Sequence, residues 1–371
     1  MKKIVSVITS VLILLTCFAS CSVNTKKIKS GDAVIGILTP AAAAGDEYAE
    51  AMKMQETYGA DKVVVETFDV GYGSSTASIY EAAERLLENH NVKAIIVARG
   101  VEGTADAIKA VKSARPDIEC IDVNPSEIDY YVTNTADLAV SMGSKETCAA
   151  MVERAKKQGI KTVVYLVPSQ YSKNISIQKT GDALKTACDD RGVDYVQHDY
   201  QCNINPIDQI KLSAKAAVKS CIEKYGKDTA FYSASCVATD TVINAAAENE
   251  AGFIYGLCSC PENHYKTAFG AEKGESYEQL LENLRETVDG NARKKLCVIE
   301  SSPVSIMIKI AMGYAIAYCN GSIDAEAAFD EKVFKSAIQS ALNGESVDDI
   351  EFAVSEKYGN MVNVGFPVET L

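Results

Sequence analysis

The sequence has no tryptophan and only three histidines among its 371 residues. The missing tryptophan removes a frequent flat platform for sugars and mildly disfavours a carbohydrate ligand. The scarcity of histidine narrows metal and nucleophilic chemistry. There is no H-E-x-x-H pair, no EF-hand loop and no G-x-S-x-G elbow. An Asp–His neighbour pair occurs only at His198–Asp199, where adjacent side chains oppose each other on a strand. Beyond residue 20 no segment approaches the roughly eighteen uninterrupted apolar residues of a spanning helix. Basic charge is also short, with 37 Lys and Arg against 50 Asp and Glu, a net charge of −13. Such a surface repels nucleic acid, and no basic cluster or helix-turn-helix pattern offsets it, so no nucleic-acid partner is expected.

What the chain does have begins at its N-terminus. Met1-Lys2-Lys3 precedes an uncharged apolar stretch over residues 4–20, the pattern of a signal peptide. Phe18-Ala19-Ser20-Cys21 resembles the lipobox of bacterial lipoproteins, although leucine is usual where Phe18 stands. That resemblance implies cleavage before Cys21, lipidation of Cys21, and a protein held by lipid on the extracytoplasmic face of the cell membrane. An uncleaved anchor and ordinary secretion are the alternatives. Residues 21–31 are polar and basic and read as a tether. The twelve cysteines lack the spacing of a disulfide scaffold. Cys120 and Cys297 lie in apolar runs, and Cys148, Cys221 and Cys319 in helical patterns, which predicts buried free thiols.

The remaining residues alternate short apolar runs with amphipathic segments. AVIGILT (33–39), KVVVETFD (62–69), VKAIIVA (92–98), IECIDVN (118–124) and YYVTNT (130–135) read as strands separated by helices. In the helix after the second strand, Ile79, Ala82, Ala83, Leu86 and Leu87 share one face. A helix over 139–158 opens a second unit, with strands KTVVYLVP (161–168), VDYVQHD (193–199), TAFYSAS (229–235) and GFIYGLC (252–258). Strand–helix alternation predicts parallel sheets covered on both faces, and two units in series predict two lobes.

The C-terminal third adds a strand at KKLCVIE (294–300), then Ser301-Ser302-Pro303 and a long apolar helix. This order resembles the final crossover of type 1 periplasmic binding proteins. The stretches GDEYAEA (45–51), VKAIIVARGVEGTADAIKAVKSARPDIE (92–119) and YGKDTAFYS (225–233) resemble an uncharacterised family of bacterial lipoproteins in that superfamily. The resemblance implies an α/β fold of two doubly wound parallel-sheet lobes with three interlobe crossovers. It places residues 32–137 plus about 262–300 in an N-terminal lobe, and 138–261 plus about 301–371 in a C-terminal lobe. It also implies a small polar ligand, held between the lobes and handed to an ABC permease or a sensor.

In open α/β sheets ligands bind beyond the carboxyl ends of the strands. In the first lobe that rule selects Thr39, Pro40, Asp46, Glu47, Tyr48, Arg99, Gly100, Glu102 and Asn124. In the second it selects Ser169, Tyr171, Ser235 and Ser259, and in the last crossover Glu300 and Ser301. Tyr48, Tyr72, Tyr171, Tyr200 and Tyr265 offer flat faces in such loops, among 18 tyrosines against 9 phenylalanines. Gly100-Val-Glu-Gly103, between a strand and a helix, invites a phosphate-loop reading. It lacks the Lys-Ser/Thr of a P-loop and the third glycine of a dinucleotide fingerprint, and Glu102 would repel phosphate. Arg99 could instead grip a ligand carboxylate in bidentate fashion or hold the scaffold. Cys258-Ser-Cys260 with His264 supplies at most three soft ligands, fewer than structural zinc requires. No cofactor and no metal are expected. A binding protein leads, ahead of a regulator with a lac-repressor-like ligand domain. A hydrolase using Glu102, Asp46 or Glu300 is the weaker alternative.

Overall fold

A computed structural model describes residues 25–29, 31–41, 46–69, 75–202, 207–255, 261–271, 277–323, 329–342 and 350–371. The expected signal peptide, Cys21, Tyr72 and Ser259 lie outside the described residues.

Two sheets carry the chain. In the first, β1 (Val34–Pro40), β2 (Val63–Phe68), β3 (Val92–Val97), β4 (Glu119–Val123) and β5 (Leu138–Met142) run parallel in the order β2-β1-β3-β4-β5. A late strand, β12 (Met361–Gly365), extends it parallel to β5, and β11 (Glu351–Val354) closes the edge antiparallel. In the second, β6 (Thr162–Pro168), β7 (Asp194–Tyr200), β8 (Thr229–Ser233), β9 (Gly252–Ile254) and β10 (Leu296–Ile299) run parallel in the order β7-β6-β8-β9-β10. β13 (Val368–Thr370) pairs antiparallel with β10.

The burial pattern explains why continuous apolar runs form these strands. β1 and β6 are buried along their whole length because helices cover both faces, whereas edge strand β7 alternates with solvent. Along β3, Ala94 and Ile96 face one core, while Ile95 and Val97 face another with Ile79, Ala82 and Leu86. The second core is covered by α2 (Ser75–Leu87) and α3 (Thr104–Ala114). The opposite face is covered by α1 (Asp46–Tyr58) and α12 (Pro303–Cys319), with α13 (Glu331–Ala341) packed on α12. α12 is apolar around nearly its whole circumference and is buried accordingly. Its start is fixed by Pro303 in the first turn and by Ser302, whose Oγ accepts from the Ser305 N–H.

In the second lobe α5 (Ser144–Lys157) packs on α6 (Ile175–Arg191), and α7 (Ile207–Tyr225) on α8 (Cys236–Glu248). Three further helices, α9 (Pro261–Phe269), α10 (Tyr277–Thr287) and α11 (Gly290–Arg293), lie between β9 and β10.

Three expectations need correction. Tyr130–Thr135 is not a strand: α4 (Asp129–Thr133) occupies it, and the fifth strand is Leu138–Met142, expected as the start of a helix. The aromatic and β-branched residues of YYVTNT suggested a strand, but LAVSM has the buried register beside β4.

The late segments also exchange lobes. The described residues within 262–300 belong to the second lobe: β10 pairs with β9, the Tyr277 hydroxyl donates to the Ile299 carbonyl at 2.9 Å, and Arg285 pairs with Glu369 at 2.6 Å. Most of 301–371 belongs to the first lobe, where the Tyr318 hydroxyl donates to the Asp117 carbonyl at 2.8 Å. A buried parallel strand carries the same apolar pattern in either sheet, so composition could not assign β10.

The chain passes between the lobes at Gly143, at 300–302 and at 366–367. The tether reading is also revised for residues 25–29, which dock on the first lobe. The Lys29 N–H donates to Asn320 Oδ1 at 2.7 Å, and Asn320 Nδ2 donates to the Lys27 carbonyl at 2.8 Å.

Ile308 is fully buried between α12 and its neighbours. Ile308→Ala is expected to cost about 2–5 kcal/mol, read as a lowered urea midpoint with unchanged slope.

Candidate functional site

The turn after β3 is built from its glycines. A Cβ on Gly100 would lie 2.5 Å from Asp122 Oδ1 and 2.7 Å from Pro125 Cα, and one on Gly103 would lie 2.7–2.9 Å from Thr76 atoms. Gly103 also has φ +94°, a conformation that disfavours side chains. Both close approaches are therefore made to this lobe's own residues. At the N-terminus of α3 the Glu127 carboxylate accepts from the Gly103 N–H at 3.0 Å and the Ala105 N–H at 2.7 Å. A phosphate would need those same donors, so a protein carboxylate fills the position that the phosphate reading required.

Asp122 lies beneath the turn, wholly buried, with no hydrogen-bond partner among the described residues for either carboxylate oxygen. Burial, helped by the neighbouring Glu127 charge, raises its pKa well above the ordinary carboxylate value. Glu119 on the same strand is pushed up to about 8, first by burial and then by Asp137, against the opposing effect of Lys112.

The edge of the first lobe gathers several expected residues. Asp46 and Glu47 open α1, where acidic side chains suit the helix dipole, and both are buried. Arg99 Nη1 stands 3.7 Å from Glu47 Oε1; the arginine side chain is 43% exposed and the glutamate 3%. One turn along α1, Glu50 Oε2 accepts from the Ser305 hydroxyl at 2.8 Å. That bond sets α1 against the start of α12, so the Glu300–Ser302 crossover joins the same edge. Glu300 is exposed and Ser301 half-buried.

Other expected residues are placed differently. Thr39 is fully buried and donates to the Pro40 carbonyl at 3.3 Å, while Pro40 and Gly100 are buried in the scaffold. Tyr48 is half-buried and Glu102 exposed. Asn124 takes a left-handed φ of 49° as the chain leaves β4.

In the second lobe Ser169 Oγ donates to the Tyr200 carbonyl at 3.0 Å, and Tyr171 is half-buried. Ser235 is buried ahead of α8, and its carbonyl accepts from the Ser233 hydroxyl at 3.0 Å and the Thr239 hydroxyl at 2.9 Å. Tyr265 is no platform: it is wholly buried against Tyr255, and Tyr200 is buried as well. Cys236 and His264 were not singled out together by sequence. Cys236 opens α8, and its Sγ stands 3.3 Å from His264 Nε2, on a helix 28 residues away. The position of Cys236 directly after β8 was the one available signal.

The two lobe edges meet at an ion pair, Lys179 Nζ to Asp129 Oδ2 at 2.9 Å, from α6 to α4. Among the described residues no group of three or more His, Cys, Asp or Glu could hold a metal ion, and Cys258 and Cys260 lie outside them. All eight described cysteines are free, and five of them are buried.

A family model described as "Protein of unknown function (DUF3798)" matches residues 34–296. The chain belongs to this family. An uncharacterised protein of Treponema pallidum (strain Nichols) is 27% identical over 150 residues, covering 40% of this chain and 69% of the relative. A Clostridium difficile 630 protein, named provisionally as a transcriptional regulator, superposes with a TM-score of 0.75 at 17% identity, over 92% of this chain and 99% of that one. An ABC transporter solute-binding protein from Clostridium phytofermentas with bound L-rhamnose gives a TM-score of 0.51 at 11% identity, over 92% and 96%. A sugar ABC transporter protein from Actinomyces odontolyticus gives 0.54 at 10% identity, over 81% and 88%. At these identities the likeness establishes the two-lobed periplasmic-binding-protein-like fold for this family member.

Asp122 binds its proton more tightly folded than unfolded, so ionising it at higher pH costs stability. The loss begins above the unfolded carboxylate pKa near 3.9 and grows until the raised folded pKa is passed. Asp122→Asn removes that loss, so its urea midpoint relative to the parent is expected to rise between pH 4 and pH 7. A difference independent of pH would show that Asp122 is ionised in the fold. Brief iodoacetamide treatment should label exposed Cys236 ahead of buried Cys148 and Cys297, whose thiols burial pushes up to about 12. Peptide mass mapping reads the order.

Proposed function

We propose that this protein binds a small polar molecule between its lobes and delivers it to an ABC permease or to a sensor. The observation that carries the reading is the architecture itself. Two sheets of mostly parallel strands are joined by three crossovers, an arrangement that would let the lobes close over a ligand held at their strand ends. Structural neighbours that include a rhamnose-bound solute-binding protein support it. The polar edge at Glu47, Arg99 and Glu300 suits a ligand with charged or hydroxyl groups. Arg99 serves two ends in this reading: Glu47 orients it, and its exposed part meets a ligand carboxylate.

Lipid on Cys21 holds the protein at the membrane. Replacement Cys21→Ala is expected to abolish incorporation of radiolabelled palmitate and release the protein from the membrane fraction; label retained in the variant would remove the anchor.

The regulator reading has one observation in its favour, the likeness to the Clostridium difficile protein. Residues 4–20, apolar and uncharged, favour export over DNA binding.

Thermal melting against panels of sugars, nucleosides, amino acids and short peptides tests ligand binding. A ligand at a hundred times its Kd stabilises by ~2.7 kcal/mol. No shift across all panels would count against solute delivery. For a carboxylate ligand, Arg99→Ala should weaken binding by about tenfold or more, since a hydrogen bond to a charged group contributes about 1.5–3 kcal/mol.

A further inference from the structure

Of the eight described cysteines only Cys236 is exposed. Burial holds five of the others in the unreactive thiol form. It pushes Cys148, Cys188 and Cys297 up to about 12, and Cys221 and Cys319 up to about 11. Cys236 instead opens the 13-residue α8, directly beyond β8. Its Sγ lies 3.3 Å from His264 Nε2 on α9, which sets a nucleophile beside a base. The imidazole is held in place. His264 is buried, and its ring packs 6.3 Å from the Tyr255 ring. Two turns along α8, Asn244 Nδ2 donates to the Ala268 carbonyl of α9 at 3.1 Å, so a second contact fixes the two helices against each other. Acyl transfer would also need donors aimed at a developing oxyanion. Exchange with a disulfide needs only an ionised thiol and access to it, and this pair supplies both.

We propose that Cys236 is a thiol-exchange site that captures low-molecular-weight disulfides as mixed disulfides, with His264 as its base. The thiol proton passes to His264 Nε2, and Cys236 Sγ attacks one sulfur of the disulfide in line with its S–S bond. A new S–S bond to Cys236 forms as the old one breaks. The departing thiolate takes the proton back from the imidazole and leaves as a thiol. One thiol and one disulfide enter and one of each remain, so the small disulfide is the only oxidant required. The captured group sits at the carboxyl end of β8, among the strand ends of the second lobe. The exchange does not depend on solute delivery, and either can fail without the other.

The test treats the full chain, kept soluble in a neutral detergent, with hydroxyethyl disulfide, an uncharged probe. Intact mass and peptide mapping follow the mixed disulfide over time at several pH values. Cys236 is expected to take the probe ahead of every other described cysteine, and Cys236→Ser to lose that fast addition. An unassisted thiol with a pKa near 8.5 reacts about eightfold more slowly at pH 7 than at pH 8, because its thiolate fraction falls by that factor. The parent is expected to slow by less than half that factor. In His264→Asn the rate at pH 7 should fall at least about fivefold, since an unassisted thiol is only a few per cent ionised there. At pH 9.5, where solvent removes the proton, parent and variant should agree within about threefold. That agreement separates a base from a structural role, because disturbed helix packing would alter the rate at every pH. If His264→Asn does not fold, the pH dependence of the parent decides alone. Slowing of the parent by half the unassisted factor or more, a smaller loss in His264→Asn at pH 7, or earlier addition to another described cysteine overturns the proposal.

Discussion

The Gly143 N–H donates to the Val364 carbonyl at 2.6 Å, and the Glu300 N–H donates to the Pro367 carbonyl at 3.1 Å. These two bonds tie the first and second crossings to the third, so three separated stretches of chain pass the lobe boundary side by side. At Gly365 the approach is close enough to require glycine. A Cβ on Gly365 would lie 2.8 Å from Glu146 Cβ, and one on Gly143 would lie 3.2 Å from the Val364 carbonyl oxygen. Because the crossings are joined, β5, β12, β10 and β13 are set in position together, and with them the ends of both sheets. The ion pair of Lys179 with Asp129 adds a further contact between the lobes. It is largely solvent-exposed and adds little stability.

Charge gathers at one edge of the first lobe. At the carboxyl ends of the strands, Asp46, Glu47 and Glu127 sit at helix N-termini, where backbone N–H groups and helix dipoles favour them. Arg99 lies beside Glu47 and keeps that edge from being uniformly negative. Asp122, buried with no hydrogen-bond partner among the described residues, holds its proton instead of adding another charge. The same lobe thus presents a mixed-charge edge to the second lobe.

Legibility in the sequence varied with the kind of information required. Runs such as VIGILT and TVVYLVP could be read as parallel strands because burial on both faces demands unbroken apolar character. The helix carrying Ile79, Ala82, Ala83 and Leu86 was equally plain from its spacing, and all four residues are buried. YYVTNT was misread because local propensity is a weak guide in a five-residue helix, here held by the side chains of Thr133, Asn134 and Thr135 donating to the carbonyls of Asp129, Tyr130 and Tyr131. Within the candidate site, the strand-end rule found Glu47 and Arg99 individually. It could not show that they contact each other, nor that Thr39 and Tyr265 turn inward.

By itself the sequence determined the two-lobed α/β class and the acidic character of the chain, and it marked the strand ends where the proposed ligand site lies. These follow from periodicity and composition, which act over a few residues or over the whole chain. Tertiary structure alone decided which sheet received β10 and β12, because hydrogen-bonded pairing between distant segments leaves no mark on either segment. It alone decided that Glu127, 24 residues from Gly103, fills the anion position of the glycine turn. Cys236 and His264 meet for the same reason. Their proximity is a property of packed helices and not of spacing along the chain.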